Sequence, residues 1–144
     1  MTKIKNSISE GKKEENSGSL SNKSLQGTFV GTGTGTLPAS FAGGDPNVSL
    51  PITMLFQYTF DGDGHIDPAF GEATIGGQPM GLIKATGTYH IDPATGIGEE
   101  TINLPASVGG GTINRRFALS NGNTQLHLVG LDPGFQFQAT MYKQ

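Results

Sequence analysis

From Pro51 to Gln144 the chain alternates short apolar-polar stretches with turn sequences. The turns contain Asp-Gly, Asp-Pro or Asn-Gly pairs and lie at 61–64, 92–96, 121–123 and 132–134. A two-residue period bounded by such turns is typical of strands joined as hairpins. Without a helical period to cover a sheet face, we predict an all-β fold, a single antiparallel meander closed into a roughly eight-stranded up-and-down barrel. The predicted strands are 25–36, 52–60, 66–75, 82–91, 97–104, 113–120, 124–130 and 135–142.

Side chains alternate between the two faces of a strand, so the phase of the apolar residues predicts which of them face the lumen. The apolar residues predicted to line the lumen and bind a ligand are Met54, Phe56, Phe70, Phe117, Leu126, Leu128, Phe135 and Phe137. The polar residues predicted to lie among them, and to be the candidate catalytic groups, are Tyr58, Tyr89, Glu99 and Arg115.

Arg115 and Arg116 are adjacent, so a strand directs one inward and the other outward. A tight Asn-Gly hairpin loop would pair Phe117 with Leu126 and Arg115 with Leu128, which places Arg115 in the lumen. A guanidinium in apolar surroundings needs an acidic partner. Such a pair has two interpretations that the sequence leaves open: it sets the strand register, or it orients a ligand.

Glu72, Glu99 and Glu100 are the candidate partners of this arginine. Pairing across the 92–96 turn sets Tyr89 opposite Glu99, whereas the apolar residues that follow favour an inward Glu100. A β-bulge would reconcile the two patterns. We favour Glu99, because pairing close to a turn is the firmer evidence.

The first predicted strand has glycines at alternate positions on the face that carries Phe29. Two interpretations stay open for Gly27, Gly31, Gly33 and Gly35: a strongly coiled strand at a barrel corner, or room for a ligand.

Charge divides the chain into a leader and a barrel domain. Residues 1–24 hold five lysines and three glutamates among serine, asparagine and glycine, which is typical of a disordered leader. Residues 25–144 carry four basic and nine acidic side chains, so nucleic acid is not an expected partner. The absence of cysteine and of a long apolar stretch predicts a cytoplasmic protein without disulfides or a membrane span.

Catalytic and metal motifs are not evident. A calcium-loop spacing that begins at Asp61 is interrupted by His65 and Ile66, so we predict no metal site. No serine has an expected histidine partner on a shared face, so a hydrolytic triad is not predicted.

Three short segments carry a resemblance to known barrels. The segment Leu25-Gln26-Gly27-Thr28-Phe29 resembles the Gly-x-Trp start of lipocalins, with Phe29 in place of the tryptophan. The segments 60–66 and 87–89 resemble small bacterial calycin-like barrel domains. The resemblance covers residues 25–144, but the chain lacks tryptophan and cysteine and ends directly after the eighth predicted strand. Barrels of the allene-oxide-cyclase type are similar in size, and this likeness implies cofactor-free cyclisation of an apolar substrate in the lumen.

We therefore hypothesise that the lumen binds a hydrophobic small molecule, such as a polyketide-like or fatty-acid-like chain, and catalyses its cofactor-free cyclisation or isomerisation. In this hypothesis Arg115 or a tyrosine polarises a carbonyl, while Glu99 orients the arginine or transfers a proton. The alternatives are a non-catalytic lipophile carrier and a protein-interaction module with a packed core.

Overall fold

Eight antiparallel strands follow one another around a closed barrel, in the order of the sequence. The computed structural model describes residues 20–144, so the predicted leader lies outside the described residues as far as residue 19. The strands are β1 (Gln26–Pro38), β2 (Ser49–Asp61), β3 (His65–Ile75), β4 (Gln78–Ile91), β5 (Gly98–Asn103), β6 (Thr112–Ser120), β7 (Gln125–Gly130) and β8 (Gln136–Lys143). The prediction of an all-β meander closed into an eight-stranded barrel is confirmed.

The helical segments within residues 20–144 are short 3₁₀ turns at Asn22–Ser24, Ala39–Ala42 and Ala106–Val108. None of these described helices has the length and apolar character needed to cross a bilayer.

The two ends of the barrel differ in how they are covered. At the capped end, which holds the β2–β3, β4–β5 and β6–β7 connections, the first described residues fold over the lumen. The Tyr89 hydroxyl donates to the carbonyl oxygens of Asn22 and Leu25 at 3.0 and 2.7 Å, and the Ile91 amide donates to Asn22 Oδ1 at 2.8 Å. Residues 20–24, which the sequence assigned to the leader, therefore belong to the fold. The opposite end, here called the mouth end, consists of the connections 39–48, 76–77, 104–111 and 131–135.

The β6–β7 hairpin has a longer loop than predicted. Phe117 pairs with Leu128 instead of Leu126, because Ser120 and Gln125 form the last pair and four residues make the turn. The register is thus displaced by two residues, which leaves every side chain on its predicted face. Phe117, Leu126 and Leu128 are buried as expected.

Phe70 lies outside the barrel, so its predicted position in the lumen is wrong. The pairing of β3 with β4 shifts between Ile66 and Ala69, which is a bulge. An extra residue reverses the phase of everything that follows it. Ala69 is consequently buried in the lumen, while Phe70 sits on the outer face between Gln57 and Lys84.

Side chains fill the lumen along most of its length. The Phe56 and Phe137 rings meet edge to face with centroids 5.7 Å apart, and Phe29 and Phe60 do so at 5.5 Å. Such contacts add to the free energy gained from burying the rings. The space above the Gly33 backbone is occupied by the Phe137 ring, whose Cζ would lie 2.5 Å from an added Cβ. The glycine face of β1 therefore receives neighbouring side chains.

Candidate functional site

Three polar side chains, from β2, β5 and β6, converge in the lumen. The β5–β6 pairing sets Glu100 directly opposite Arg115. Arg115 Nη1 donates to Glu100 Oε2 at 3.1 Å and to the Tyr58 hydroxyl at 3.0 Å. Arg115 and Glu100 are each only 1% exposed, so this is a salt bridge removed from water. The predicted inward positions of Arg115 and Tyr58 agree with the structure.

One edge of the Arg115 guanidinium meets only a weak acceptor, the Met54 thioether. Nε has no hydrogen-bond partner among the described residues, and Nη2 contacts Met54 Sδ at 4.0 Å. Nε and Nη2 together form the edge that binds carboxylates in a bidentate manner. The planar group also lies over the rings of Phe56 and Phe137, with Cζ 4.9 and 5.2 Å from the centroids. These rings hold the guanidinium in place by packing and cation-π attraction.

The carboxylate of the pair is also incompletely satisfied. Glu100 Oε1 is buried and has no hydrogen-bond partner among the described residues. Burial raises the pKa of Glu100, and attraction to Arg115 offsets only part of that rise. Burial likewise raises the pKa of Tyr58, so its hydroxyl keeps its proton. For Arg115, burial lowers the pKa, but attraction to Tyr58 and Glu100 outweighs it, and the guanidinium stays charged.

Glu99 faces solvent, so the preference for Glu99 as the buried partner is wrong. Its carboxylate accepts a hydrogen bond from Arg116 Nη2 at 2.7 Å, and its side chain is 60% exposed. The cause is the length of the β4–β5 turn. The Asp92 backbone amide donates a hydrogen bond to the Ile97 carbonyl oxygen, and the strand begins only at Gly98. Tyr89 thus pairs with Glu100, one residue from the predicted register. A shift of one residue exchanges the two faces of a strand.

Tyr89 is inward but is not part of the polar cluster. Its hydroxyl is occupied by backbone carbonyls of the capping turn, which gives it a structural part at the capped end. Among the predicted ligand-binding residues, Met54, Phe56 and Phe137 surround Arg115. Phe135 lies nearer the mouth end, where its ring meets that of Phe41 at 6.1 Å.

The sequence did not predict a contact between a serine and a histidine on the outer face of the barrel. Ser120 Oγ and His127 Nε2 are 2.9 Å apart, and His127 Nδ1 faces Thr140 Oγ1 at 3.5 Å. The predicted hairpin register set His127 opposite Arg116. In the structure His127 pairs with Ala118, and Ser120 lies two residues further along the same face of β6. A hydroxyl, not a carboxylate, faces the second ring nitrogen, so this pair lacks the orienting acid of a hydrolytic triad.

Two grooves formed by the described residues are lined mainly by outward side chains. The larger, about 1290 Å³, runs over the end of β4, β5 to β8 and β1, and includes His90, Arg116 and Gln138. The smaller, about 280 Å³, lies among Val30, Leu55 and Phe70 on the opposite wall. The polar cluster of Arg115 is thus separated from both by the barrel wall.

Fold and site together define a closed antiparallel barrel with an ion pair in its lumen, an architecture consistent with calycin-like barrels. No protein-family model matches the chain, and neither a curated protein nor a solved structure matches it significantly.

The raised pKa of Glu100 predicts an unusual dependence of stability on pH. The folded protein holds this proton more tightly than the unfolded chain, whose ordinary value is 4.5. As pH rises above that value, the unfolded chain releases the proton first, so the free energy of unfolding falls until the folded pKa is passed. We expect urea titrations from about pH 4 to pH 8 to show wild type losing stability relative to Glu100→Gln. The exposed Glu99→Gln should follow wild type, and identical profiles for the two variants would contradict the assignment.

Proposed function

We propose that the barrel binds a hydrophobic small molecule that carries an oxygen acceptor, such as a fatty-acid-like or polyketide-like chain. The Nε–Nη2 edge of Arg115 is the observation that carries this proposal, because Nε has no partner among the described residues and Nη2 donates only to the weak acceptor Met54 Sδ. Two parallel N–H donors in an apolar lumen suit a carboxyl or carbonyl oxygen, and desolvation strengthens the hydrogen bonds they offer. The ligand's apolar part would contact Phe56 and Phe137, which already pack on the guanidinium.

We expect a ligand to reach Arg115 from the mouth end. Met54, Ile75 and Ile113 are partly buried and pack against the core. Their strand positions put them towards the mouth end, where β2 begins, β3 ends and β6 begins. Met54 is unbranched and flexible, so its thioether can yield its place beside Nη2 to a ligand oxygen. A ligand entering there meets apolar side chains first and the guanidinium last.

Cofactor-free isomerisation or cyclisation is the reaction that this cluster suits. Arg115 would polarise a ligand carbonyl, while the surrounding wall would select a folded conformer of the chain. Glu100, whose pKa burial raises, can take up a proton from one carbon and return it to another, so no external reactant is consumed. The resemblance to allene-oxide-cyclase-type barrels supports the same reaction class. If the bound molecule is not converted, the same contacts would serve a lipophile carrier.

Binding is tested with two adjacent tryptophan substitutions. Met54→Trp obstructs the route to Arg115, whereas Leu55→Trp places the same bulk on the outer face of β2. We expect Met54→Trp to weaken the affinity for oleic acid by roughly tenfold or more and Leu55→Trp to leave it unchanged. The natural sequence has no tryptophan, so each variant also reports binding through its own fluorescence.

Three further measurements decide the proposal. If folded Met54→Trp and Leu55→Trp bind oleic acid with equal affinity, the ligand does not bind in the lumen. Comparing the affinities for oleic acid and its methyl ester distinguishes recognition of a carboxylate from recognition of any carbonyl. Incubation of the protein with candidate unsaturated acids, followed by chromatography of the recovered lipid, separates an enzyme from a carrier.

A further inference from the structure

The two ends of the barrel differ sharply in charge. Among the mouth-end connections defined above, Asp45 and Asp132 are the charged residues, and none carries lysine, arginine or histidine. Asp132 is occupied within the protein, since its carboxylate accepts bonds from the Asn114 amide and from Asn114 Nδ2, each at 3.0 Å. The capped end is highly charged in comparison. Its charged side chains are Lys23, Asp61, Asp63, Asp92 and Lys143.

The mouth end also presents exposed apolar side chains from separate loops. Phe41 and Val48 lie in connection 39–48, Val108 in connection 104–111 and Leu131 in connection 131–135, and all four are exposed. Phe41 is held against the barrel by its edge contact with Phe135. Single exposed apolar residues are common on protein surfaces. Their position on three of the four connections at this end, none of which carries a basic residue, makes an apolar rim.

We propose that this apolar rim, formed by Phe41, Val48, Val108 and Leu131, docks on an uncharged lipid surface. The inference rests on the proposed function, because a ligand with a long apolar chain resides in lipid and would pass from there through the mouth without crossing water. Apolar side chains at the tips of loops gain free energy by insertion at the headgroup boundary. The rim offers no cation to anionic headgroups, and Asp45 is repelled by them, so zwitterionic lipid is the surface that fits.

Vesicle flotation with the full chain and pure phosphatidylcholine tests the proposal. We expect wild type to float with the vesicles, and Phe41→Ser and Val48→Ser each to lower the partition coefficient by roughly fivefold to tenfold. Ile97→Ser is the matched control, because Ile97 lies in a connection at the capped end and is 40% exposed, as is Val108 of the rim. This control should float as wild type does.

Several outcomes would overturn the docking proposal. They are the absence of wild-type binding to phosphatidylcholine, an equal loss in Val48→Ser and Ile97→Ser, and binding that requires anionic phosphatidylglycerol. Self-association that Val48→Ser abolishes, without vesicle binding, would assign the rim to a second copy of the chain instead. Oleic acid binding in solution keeps the two proposals separate. If Met54→Trp and Leu55→Trp bind oleic acid equally well while wild type still floats with the vesicles, only the lumen proposal fails. If Met54→Trp alone loses oleic acid affinity and wild type does not bind vesicles, only the docking proposal fails.

Discussion

Replacing Arg115 with Met is expected to lower the free energy of unfolding by about 3 to 5 kcal/mol, the range for removing one partner of a buried ion pair. The variant leaves the Glu100 carboxylate without its cation and the Tyr58 hydroxyl without its donor. The loss is smaller at low pH, where Glu100 takes up a proton. Arg116→Met, one residue along β6, should change the free energy of unfolding by at most about 0.5 kcal/mol, because Arg116 and its partner Glu99 are both exposed.

A second substitution identifies the partner. Adding Glu100→Gln to Arg115→Met should recover part of the lost stability, because the neutral amide costs less to bury than an unpaired carboxylate. Adding Glu99→Gln should recover nothing. Urea denaturation of the single and double variants gives the coupling free energies directly. Equal destabilisation by Arg115→Met and Arg116→Met, or rescue by Glu99→Gln, would refute the burial of this pair.

Turnover or ligand affinity in the rescued double variant separates the two interpretations of the ion pair. A pair that only sets the register of β5 and β6 can be replaced by neutral side chains without loss of binding. A pair that orients a ligand cannot, because the guanidinium edge is gone. A folded Arg115→Met/Glu100→Gln protein that binds oleic acid as wild type does would therefore end the functional role proposed for Arg115.

Gly31→Ala is expected to cost about 1 to 3 kcal/mol or more, the range for overpacking. Gly31 lies where β1 pairs with β8 to close the barrel, opposite Met141. A Cβ there would meet the Thr140 carbonyl oxygen and lie 2.7 Å from the Met141 Cα, and these backbone atoms cannot rotate away as a side chain can. Thermal or urea unfolding of the purified variant measures the loss.

Gly71→Ala is the control for this effect. Gly71 also lies in a strand, β3, but a Cβ there would make only ordinary contacts, at 3.7 Å to the Leu55 carbonyl oxygen and 4.0 Å to the Met54 Cε. We expect a change within about 0.5 kcal/mol. If Gly31→Ala is tolerated as well as Gly71→Ala, the close approach of β1 and β8 is wrong. The Phe137 ring lies over Gly33, so of the two open interpretations of the β1 glycines, room for a ligand does not hold at this position.

The sequence by itself determined the number of strands, their antiparallel order and the inward faces of β2, β6, β7 and β8. Turn residues mark where strands end, and a two-residue period marks their faces, so both are local properties of the chain. Arg115, Tyr58, Phe56 and Phe137 were found in this way. A hairpin register displaced by two residues left Phe117 on its predicted face, because two is the period of a strand.

Only the tertiary structure decided the details that depend on hydrogen bonding between strands. The bulge in β3 moved Phe70 to the outer face, and the long turn before β5 buried Glu100 instead of Glu99. Both are displacements by one residue, which exchange the faces of a strand and which the hydrophobic pattern near a turn does not record. The meeting of Tyr58 with Arg115 depends on closure of the barrel, since their strands are not neighbours in the sheet. The guanidinium edge without a strong acceptor follows from that packing alone.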